Sequence, residues 1–418
     1  MHNINPTKGQ KLGHTYIKRS LEPIIKRAAS EFPAVVLTGP RQSGKTTLLK
    51  HLFSKQYQYV SLEPPDVRIS AKEDPRAFLE MYPSPVIFDE IQNAPDLLPY
   101  IKEKIDADRS RAGQYLLTGS QNILLIQQVT ESLAGRTAIL RLLPFSQREI
   151  EAQPDRSLPW DAESPPDYSR KYSYQKLWEG FIRGYYPEPN VQTRRDTNLW
   201  HASYVQTYLE RDVRTLRQVG DLSQFQSFLR ALAARSAQLL NLTDIARDLG
   251  IAVNTAKAWL SILEATYQVI VLRPYFANVG KRLVKTPKIY FTDAGTLCYL
   301  VGLKDPAHAA SGPMGGAIME TVVISEIIKT LTHQGVQPQT YFWRTTAGTE
   351  VDLIVDTGER LVPIEVKLSA TLHPAMAAAI KTFQKDFGDA AGPGYIIHPG
   401  DTALPLGANV SALPLLEL

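Results

Sequence analysis

The stretch Gly39-Pro40-Arg41-Gln42-Ser43-Gly44-Lys45-Thr46 constrains this chain more than any other part of it. It follows the apolar run AVVLTG, which starts at Ala34, and it precedes TTLLKHLF. A short apolar run of this kind reads as a buried parallel strand. The glycines let the backbone wrap around a phosphate, and the following helix points its first N–H groups at it. Lys45 would neutralise the terminal phosphates of a nucleotide. The Thr46 hydroxyl would bind Mg²⁺, with Thr47 next to it in the same turn. The pattern is G-x-x-x-x-G-K-[ST] in its proper strand-to-helix setting, so the expected ligands are ATP and Mg²⁺.

A second apolar run, VIFDE, ends in Asp89 and Glu90. Asp89 would hold Mg²⁺ through its water shell, and Glu90 would orient and deprotonate the attacking water. A third run, QYLLTGS, ends at Ser120. Either Ser120 or Thr118 would reach the γ-phosphate from that strand tip. Strands alternating with helices as far as Leu143 imply a doubly wound parallel sheet. Beyond them, SLAGR ends in Arg136, which either stabilises transition-state charge, often in a neighbouring subunit, or pairs at the surface.

Composition adds limits rather than identity. The 418 residues suffice for several domains. The lone cysteine, Cys298, can form no internal disulfide and no zinc site by itself. No run approaches the roughly 18 apolar residues of a membrane span. The expectation is a cytoplasmic protein. The formal charge is +4, but residues 211–290 carry an excess of seven positive charges, 12 Lys and Arg against 5 Asp and Glu. That basic middle fits a polyanionic partner, or else acidic faces of neighbouring domains.

The runs VVLTGPRQSGKTTLL, VIFDEIQ, LLTGSQ and SLAGR, continued by TYLERDV, KTPKIYFTDAG and EVDLIV…IEVK, cover most of the chain. Together they resemble bacterial and archaeal AAA+ ATPases that carry a C-terminal winged helix and a restriction-endonuclease-like domain. The resemblance implies a P-loop AAA+ domain over 1–150 and a linker and helical segment over 151–200. It further implies a helical and winged-helix domain over 201–305 and a small α/β PD-(D/E)xK domain over 306–418. It also implies assembly into a homo-oligomer such as a hexamer, and Ile17 and Arg19 at the adenine pocket. Arg211 either reaches back to the nucleotide or sits in an ion pair. Residues 16–32 read as a helix, and the Pro-, Asp- and Ser-rich 151–175 as a solvated insertion or linker.

Residues 241–260, NLTDIARDLGIAVNTAKAWL, have helix-turn-helix spacing. Gly250 falls at the turn, and the second helix would show Asn254, Thr255 and Lys257 to DNA. Residues 267–275 and 288–293 read as wing strands, flanking a tip with Lys281, Arg282 and Lys285 suited to phosphate backbones. The alternative is a protein-contact lid. Near the C-terminus, Asp352, Glu365 and Lys367 lie on consecutive strands of a hairpin, with Glu320 on the preceding helix. This resembles the PD-(D/E)xK nucleases. There Asp352 and Glu365 would bind Mg²⁺, Lys367 would position or activate water, and Glu320 would support the metal.

Two functions fit these readings. One is an ATPase that couples hydrolysis to binding or cutting DNA, branched DNA among the substrates. The other is a regulatory ATPase switch acting on protein partners, with an inactive endonuclease-like docking domain.

Overall fold

The computed structural model describes residues 16–119, 129, 131–162, 173–209, 222–275 and 285–418. The N-terminal sheet contains β1 (Ala34–Thr38), β2 (Gln58–Ser61), β3 (Val86–Asp89), β4 (Tyr115–Gly119) and β5 (Thr137–Arg141) in the order β2-β3-β4-β1-β5. Every pairing in it is parallel. The apolar runs are explained by burial on both faces. Val36, Phe88 and Leu117 enter one core, while Val35, Leu37, Ile87 and Leu116 enter another. Because the strands are parallel, their C-terminal ends share one edge, which gathers the loop after β1, Asp89 of β3 and Thr118 of β4.

The helices around this sheet are α1 (Glu22–Glu31), α2 (Lys45–Phe53), α3 (Pro65–Glu73), α4 (Pro75–Met81), α5 (Leu97–Ala107) and the short α6 (Gln147–Ile150). The helix expected over 16–32 is thus shorter at its start. Pro23 occupies the first turn, where no N–H is needed. Residues before it are held elsewhere: the Ser20 N–H donates to Glu149 (2.8 Å) and its hydroxyl to the Pro154 carbonyl (2.7 Å).

A helical layer follows: α7 (Tyr174–Arg183), α8 (Pro187–Val191), α9 (Thr197–Tyr204), α10 (Leu222–Ala233), α11 (Leu242–Leu249) and α12 (Val253–Ala265). α11 and α12 form the helix, turn and helix read from sequence. Asn241 caps α11 through its side chain, and Gly250 ends it at φ 65°, a left-handed conformation in which glycine avoids the Cβ penalty.

The strands read as a wing are not a separate hairpin. β6 (Val269–Pro274) pairs antiparallel with β7 (Lys288–Phe291), but Arg273 and Pro274 of β6 also pair with β8 (Thr340–Arg344). One eight-stranded sheet results, ordered β12-β13-β11-β10-β9-β8-β6-β7. Its other strands are β9 (Glu350–Asp356), β10 (Leu361–Val366), β11 (Gly394–His398), β12 (Leu404–Pro405) and β13 (Val410–Pro414). Between β7 and β8 come α13 (Ala294–Leu300), α14 (Pro306–Ser311) and α15 (Gly315–His333), and α16 (Ala378–Phe387) follows β10. α15 is buried on nearly every side, which marks an internal helix rather than a surface one.

The linker expected over 151–175 is docked as far as residue 162. Leu158 is fully buried, Trp160 packs on Tyr395, and the Arg156 guanidinium pairs with Glu417 and donates to the Leu416 carbonyl (2.5 Å). Its polar composition serves these contacts rather than solvent. No helix among the described residues is long and apolar enough to cross a membrane.

Candidate ATP site and a C-terminal carboxylate cluster

The loop after β1 is shaped by its glycines. Gly39 has φ 147°, and a Cβ there would stand 2.1 Å from the Leu142 carbonyl oxygen. Gly44 has φ 95° and caps α2, so the first N–H groups of that helix open toward the loop. Lys45 Nζ lies over the loop, donating to the carbonyls of Gly39 (2.9 Å) and Pro40 (2.8 Å).

Asp89 receives several hydroxyls. Thr46 donates to both its oxygens (2.8 and 3.1 Å), and Tyr59 to Oδ2 (2.7 Å). Thr118, fully buried, donates to Oδ1 and accepts the Glu90 N–H at 3.1 Å. A threonine hydroxyl and an aspartate meeting beside a phosphate-sized loop form an oxygen donor pair suited to Mg²⁺. Glu90 sits at φ 58°, ψ 50°, a left-handed conformation rare for residues other than glycine, and Gln92 donates to its carboxylate. Such outliers concentrate at functional sites.

A cavity of about 510 Å³ opens beside this edge, within the range of small-molecule sites. Gln42, Gly44, Lys45, Thr46, Thr47 and Glu90 line one side, and Tyr16, Ile17, Pro187 and Val191 supply apolar walls. Arg19 also lines it, but its guanidinium is engaged below. It donates to the carbonyls of Ser43 (2.9 Å) and Leu143 (2.7 Å), stacks over Phe145 at 4.6 Å, and pairs with Glu149 at 3.1 Å.

Glu149 is the hub of this buried connection. Its carboxylate closes a capping box with Ser146 and lies 3.2 Å from His333 Nδ1, at the end of α15. His333 Nε2 accepts the Leu143 N–H at 3.1 Å, which leaves the ring proton on Nδ1. Burial alone would raise the Glu149 pKa, but Arg19 and His333 outweigh it and hold the carboxyl well below the usual range. Burial lowers the His333 pKa and keeps the ring neutral. Two turns of helix earlier in α15, Glu326 accepts the Gln147 N–H at 2.6 Å. The P-loop carbonyl of Ser43 is thus joined to α15 through side chains with almost no exposure.

The C-terminal cluster forms where α15, β7 and the β9–β10 hairpin meet. Ile364 pairs with Leu353, which sets Asp352 beside Glu365 as the sequence suggests. Asp352 Oδ2 accepts the Val366 N–H at 2.8 Å, and Lys367 Nζ donates to Glu365 at 2.6 Å. An unexpected residue stands among the carboxylates. Lys288, at the start of β7, donates to Glu320 at 2.9 Å, pairs with Glu350, and lies 3.8 Å from Asp352. Tyr290 donates to Glu320 at 2.6 Å, and Arg344 pairs with Glu350 at 3.0 Å. Burial disfavours the Lys288 ammonium, but the carboxylates of Glu320, Asp352 and Glu350 more than offset this and raise its pKa. Burial raises Glu320, Asp352 and Glu365 as well, with Asp352 adding to the shifts of Glu320 and Glu365. Among the described residues, no group of three or more His, Cys, Asp and Glu is placed to hold a metal ion. Asp352 and Glu365, expected to hold Mg²⁺, are brought side by side, and Lys288 stands next to Asp352 and Glu320.

The family model described as an AAA domain matches residues 31–151. Two domains of unknown function match further on, DUF8612 over 174–307 and DUF4143 over 315–418. Uncharacterized proteins of Mycobacterium tuberculosis and Mycobacterium bovis are each 30% identical over 402 residues, spanning 95% of this chain and 83% of theirs. This chain belongs to the family of these proteins, and its residues 31–151 form an AAA domain. Similar solved structures include the Walker-type ATPase of Pyrococcus abyssi, at 15% identity and a TM-score of 0.46, over 68% of this chain and 96% of that one. A RuvB variant of Thermotoga maritima aligns at 16% identity and a TM-score of 0.29, over 60% and 86%.

In the AAA-domain ATPase, the remaining candidates fall as follows. Arg136 precedes β5 at the edge of the sheet away from the P-loop, where it makes a two-bond pair with Asp106 (2.7 and 3.0 Å). It does not reach the phosphate site of its own chain. Asn254 and Lys257 are exposed on α12, Thr255 is half-buried, and Lys285 is exposed before β7. Ser120, Arg211, Lys281 and Arg282 lie outside the described residues. The sequence reading missed Tyr59, Glu149, His333, Lys288 and Glu350. For Lys288 a signal existed: it shares a strand face with Tyr290, so KIYF presents two polar ends to the side on which α15 packs.

Proposed function

We propose that the ATPase is a nucleotide-driven switch, in which hydrolysis at the Gly39–Thr47 loop is passed to the C-terminal α/β module through α15. The observation that carries this reading is the buried chain from the Ser43 carbonyl through Arg19 and Glu149 to His333. An interior connection of this kind has few alternative arrangements, so a shift of the loop must be met by a shift at the helix end.

ATP would lie in the cavity, its base against Tyr16, Ile17, Pro187 and Val191 and its phosphates on the loop N–H groups and Lys45. Thr46 and Asp89 would hold Mg²⁺, which when bound neutralises phosphate charge. Glu90 would orient and deprotonate water, with Thr118 fixing the Asp89–Glu90 turn. From its edge of the sheet, Arg136 would serve only the nucleotide of a neighbouring copy in an oligomer. Replacing Lys45 with alanine removes a charged donor to phosphate. ATP binding should weaken by roughly tenfold to a hundredfold, read from displacement of a fluorescent nucleotide.

The switch is tested by hydrogen exchange over α15 with and without ATP in Glu90→Gln protein. A nucleotide-dependent change that vanishes in Arg19→Met supports it. Identical exchange with and without ATP overturns it. DNA is the partner favoured by the exposed Asn254 and Lys257 on α12 and by Lys285. Turnover raised by duplex, single-stranded or branched DNA, with salt-sensitive binding, would support it. Turnover indifferent to all three leaves a protein partner.

A further inference from the structure

We propose that Lys288 is the resident cation of the C-terminal carboxylate cluster, and that its ammonium excludes divalent metal ions and leaves this module without metal-dependent cleavage. The inference stands apart from the ATP-switch reading and does not need it. It begins with charge. Glu320, Glu350, Asp352 and Glu365 converge from α15, β9 and β10, and such a set requires compensation because a buried carboxylate leaves water at high cost. Here the compensation is internal. Lys288 Nζ contacts Glu320 at 2.9 Å and Glu350 more closely still, with Asp352 at 3.8 Å, while Lys367 neutralises Glu365 at 2.6 Å and Arg344 shares Glu350 at 3.0 Å.

The lysine is also built into its place. Lys288 is 3% exposed, and its backbone is fixed in the ladder opposite Leu272 and bridged to Leu239. Phe342 lies under the ammonium, 5.8 Å from ring centre to nitrogen. Tyr290, two residues on along the same strand face, spends its hydroxyl on Glu320. A divalent ion needs several oxygen ligands free at once. At this cluster, Lys288 and Tyr290 take the same Glu320 oxygen, Lys288 also takes Glu350, and a backbone N–H takes one oxygen of Asp352. The buried Glu365 Oε2 has no hydrogen-bond partner, so the exclusion rests on the positive charge that Lys288 places among the carboxylates, not on every oxygen being engaged.

The experiment uses the full chain and Fe²⁺ with ascorbate and peroxide, which cuts the backbone wherever iron is bound. Cuts near residues 46 and 89 report the P-loop, and cuts near 320, 352 and 365 report the cluster, so the two sites are read separately. Wild-type protein should be cut at the first and spared at the second. Lys288→Met should gain cuts at the second, and Lys288→Met combined with Asp352→Asn should lose them again. Mn²⁺ should raise the melting temperature of Lys288→Met, but not through this cluster in wild type, where Asp352→Asn leaves the Mn²⁺ response unchanged. Cuts at 352 and 365 in wild type overturn the proposal. So does a Lys288→Met protein that keeps ATP turnover yet gains no cuts. If Lys288→Met does not fold, the wild-type cutting pattern and its Mn²⁺ response decide the matter alone.

Discussion

Glu90→Gln should bind ATP as wild type does and lose turnover by roughly 10²–10⁴-fold, the usual contribution of a positioned general base. The amide keeps the size of the side chain and the backbone N–H bond to Thr118, so the Asp89–Glu90 turn is preserved. What it loses is the ability to take a proton from water. Pre-steady-state binding and steady-state phosphate release separate the two effects. Unchanged turnover would remove Glu90 from the mechanism. A parallel loss of binding would instead indicate that the left-handed turn had collapsed, and Asp89 with it.

Glu149→Ala should destabilise the protein by about 3–5 kcal/mol, because it strands the Arg19 charge in the interior. The side chains of both residues are nearly inaccessible, at 3% and 0%. Arg19→Met combined with Glu149→Met should recover part of this loss, since a well-packed apolar pair can replace a buried ion pair. Recovery would be incomplete, because the Ser43 and Leu143 carbonyls lose their donor. Chemical denaturation of the three proteins checks the order. The same hub sets an acid limit. His333 is lowered in the folded state, so its contribution is complete above about pH 6.5 and declines as pH falls through that value. Glu149 is lowered too, so its contribution is complete above about pH 4.3 and is lost below it. Stability should therefore begin to fall below about pH 6.5 and fall further below about pH 4.3, and Glu149→Ala should lose less than wild type over the lower range. An equal loss in both proteins over that range would contradict the assignment.

The ATP site was legible because its parts are contiguous. A strand, a glycine loop and a helix start lie within one stretch, and Asp89 and Glu90 end a run of buried residues. The sequence places Thr118 or Ser120 at the γ-phosphate, whereas the Thr118 hydroxyl is engaged with Asp89 and the Glu90 N–H. The connection through Arg19, Glu149 and His333 was hidden for the opposite reason. Its members come from three distant segments, and Glu149 reads in sequence as an ordinary helix-start acid. The C-terminal hairpin was legible down to the neighbouring Asp352 and Glu365, since alternation fixes strand faces. Lys288 was not, because its meeting with Glu320 depends on β7 joining the far edge of a sheet built mostly from later strands. The same cause misled the reading of residues 267–293 as an independent wing. For residues 151–162 the error came from composition: prolines and charges can dock as well as dissolve, and the buried Leu158 shows that they do here.

That joint sheet has a practical consequence. Two family matches meet between residues 307 and 315, yet β6 on one side is hydrogen-bonded to β8 on the other. A polypeptide ended in that interval would display an unpaired strand margin, the kind of surface on which chains stick to one another. The two pieces should each precipitate when produced alone and become recoverable when produced together. The stretch from β6 to the C-terminus should therefore fold as one unit, across the boundary between the two family matches.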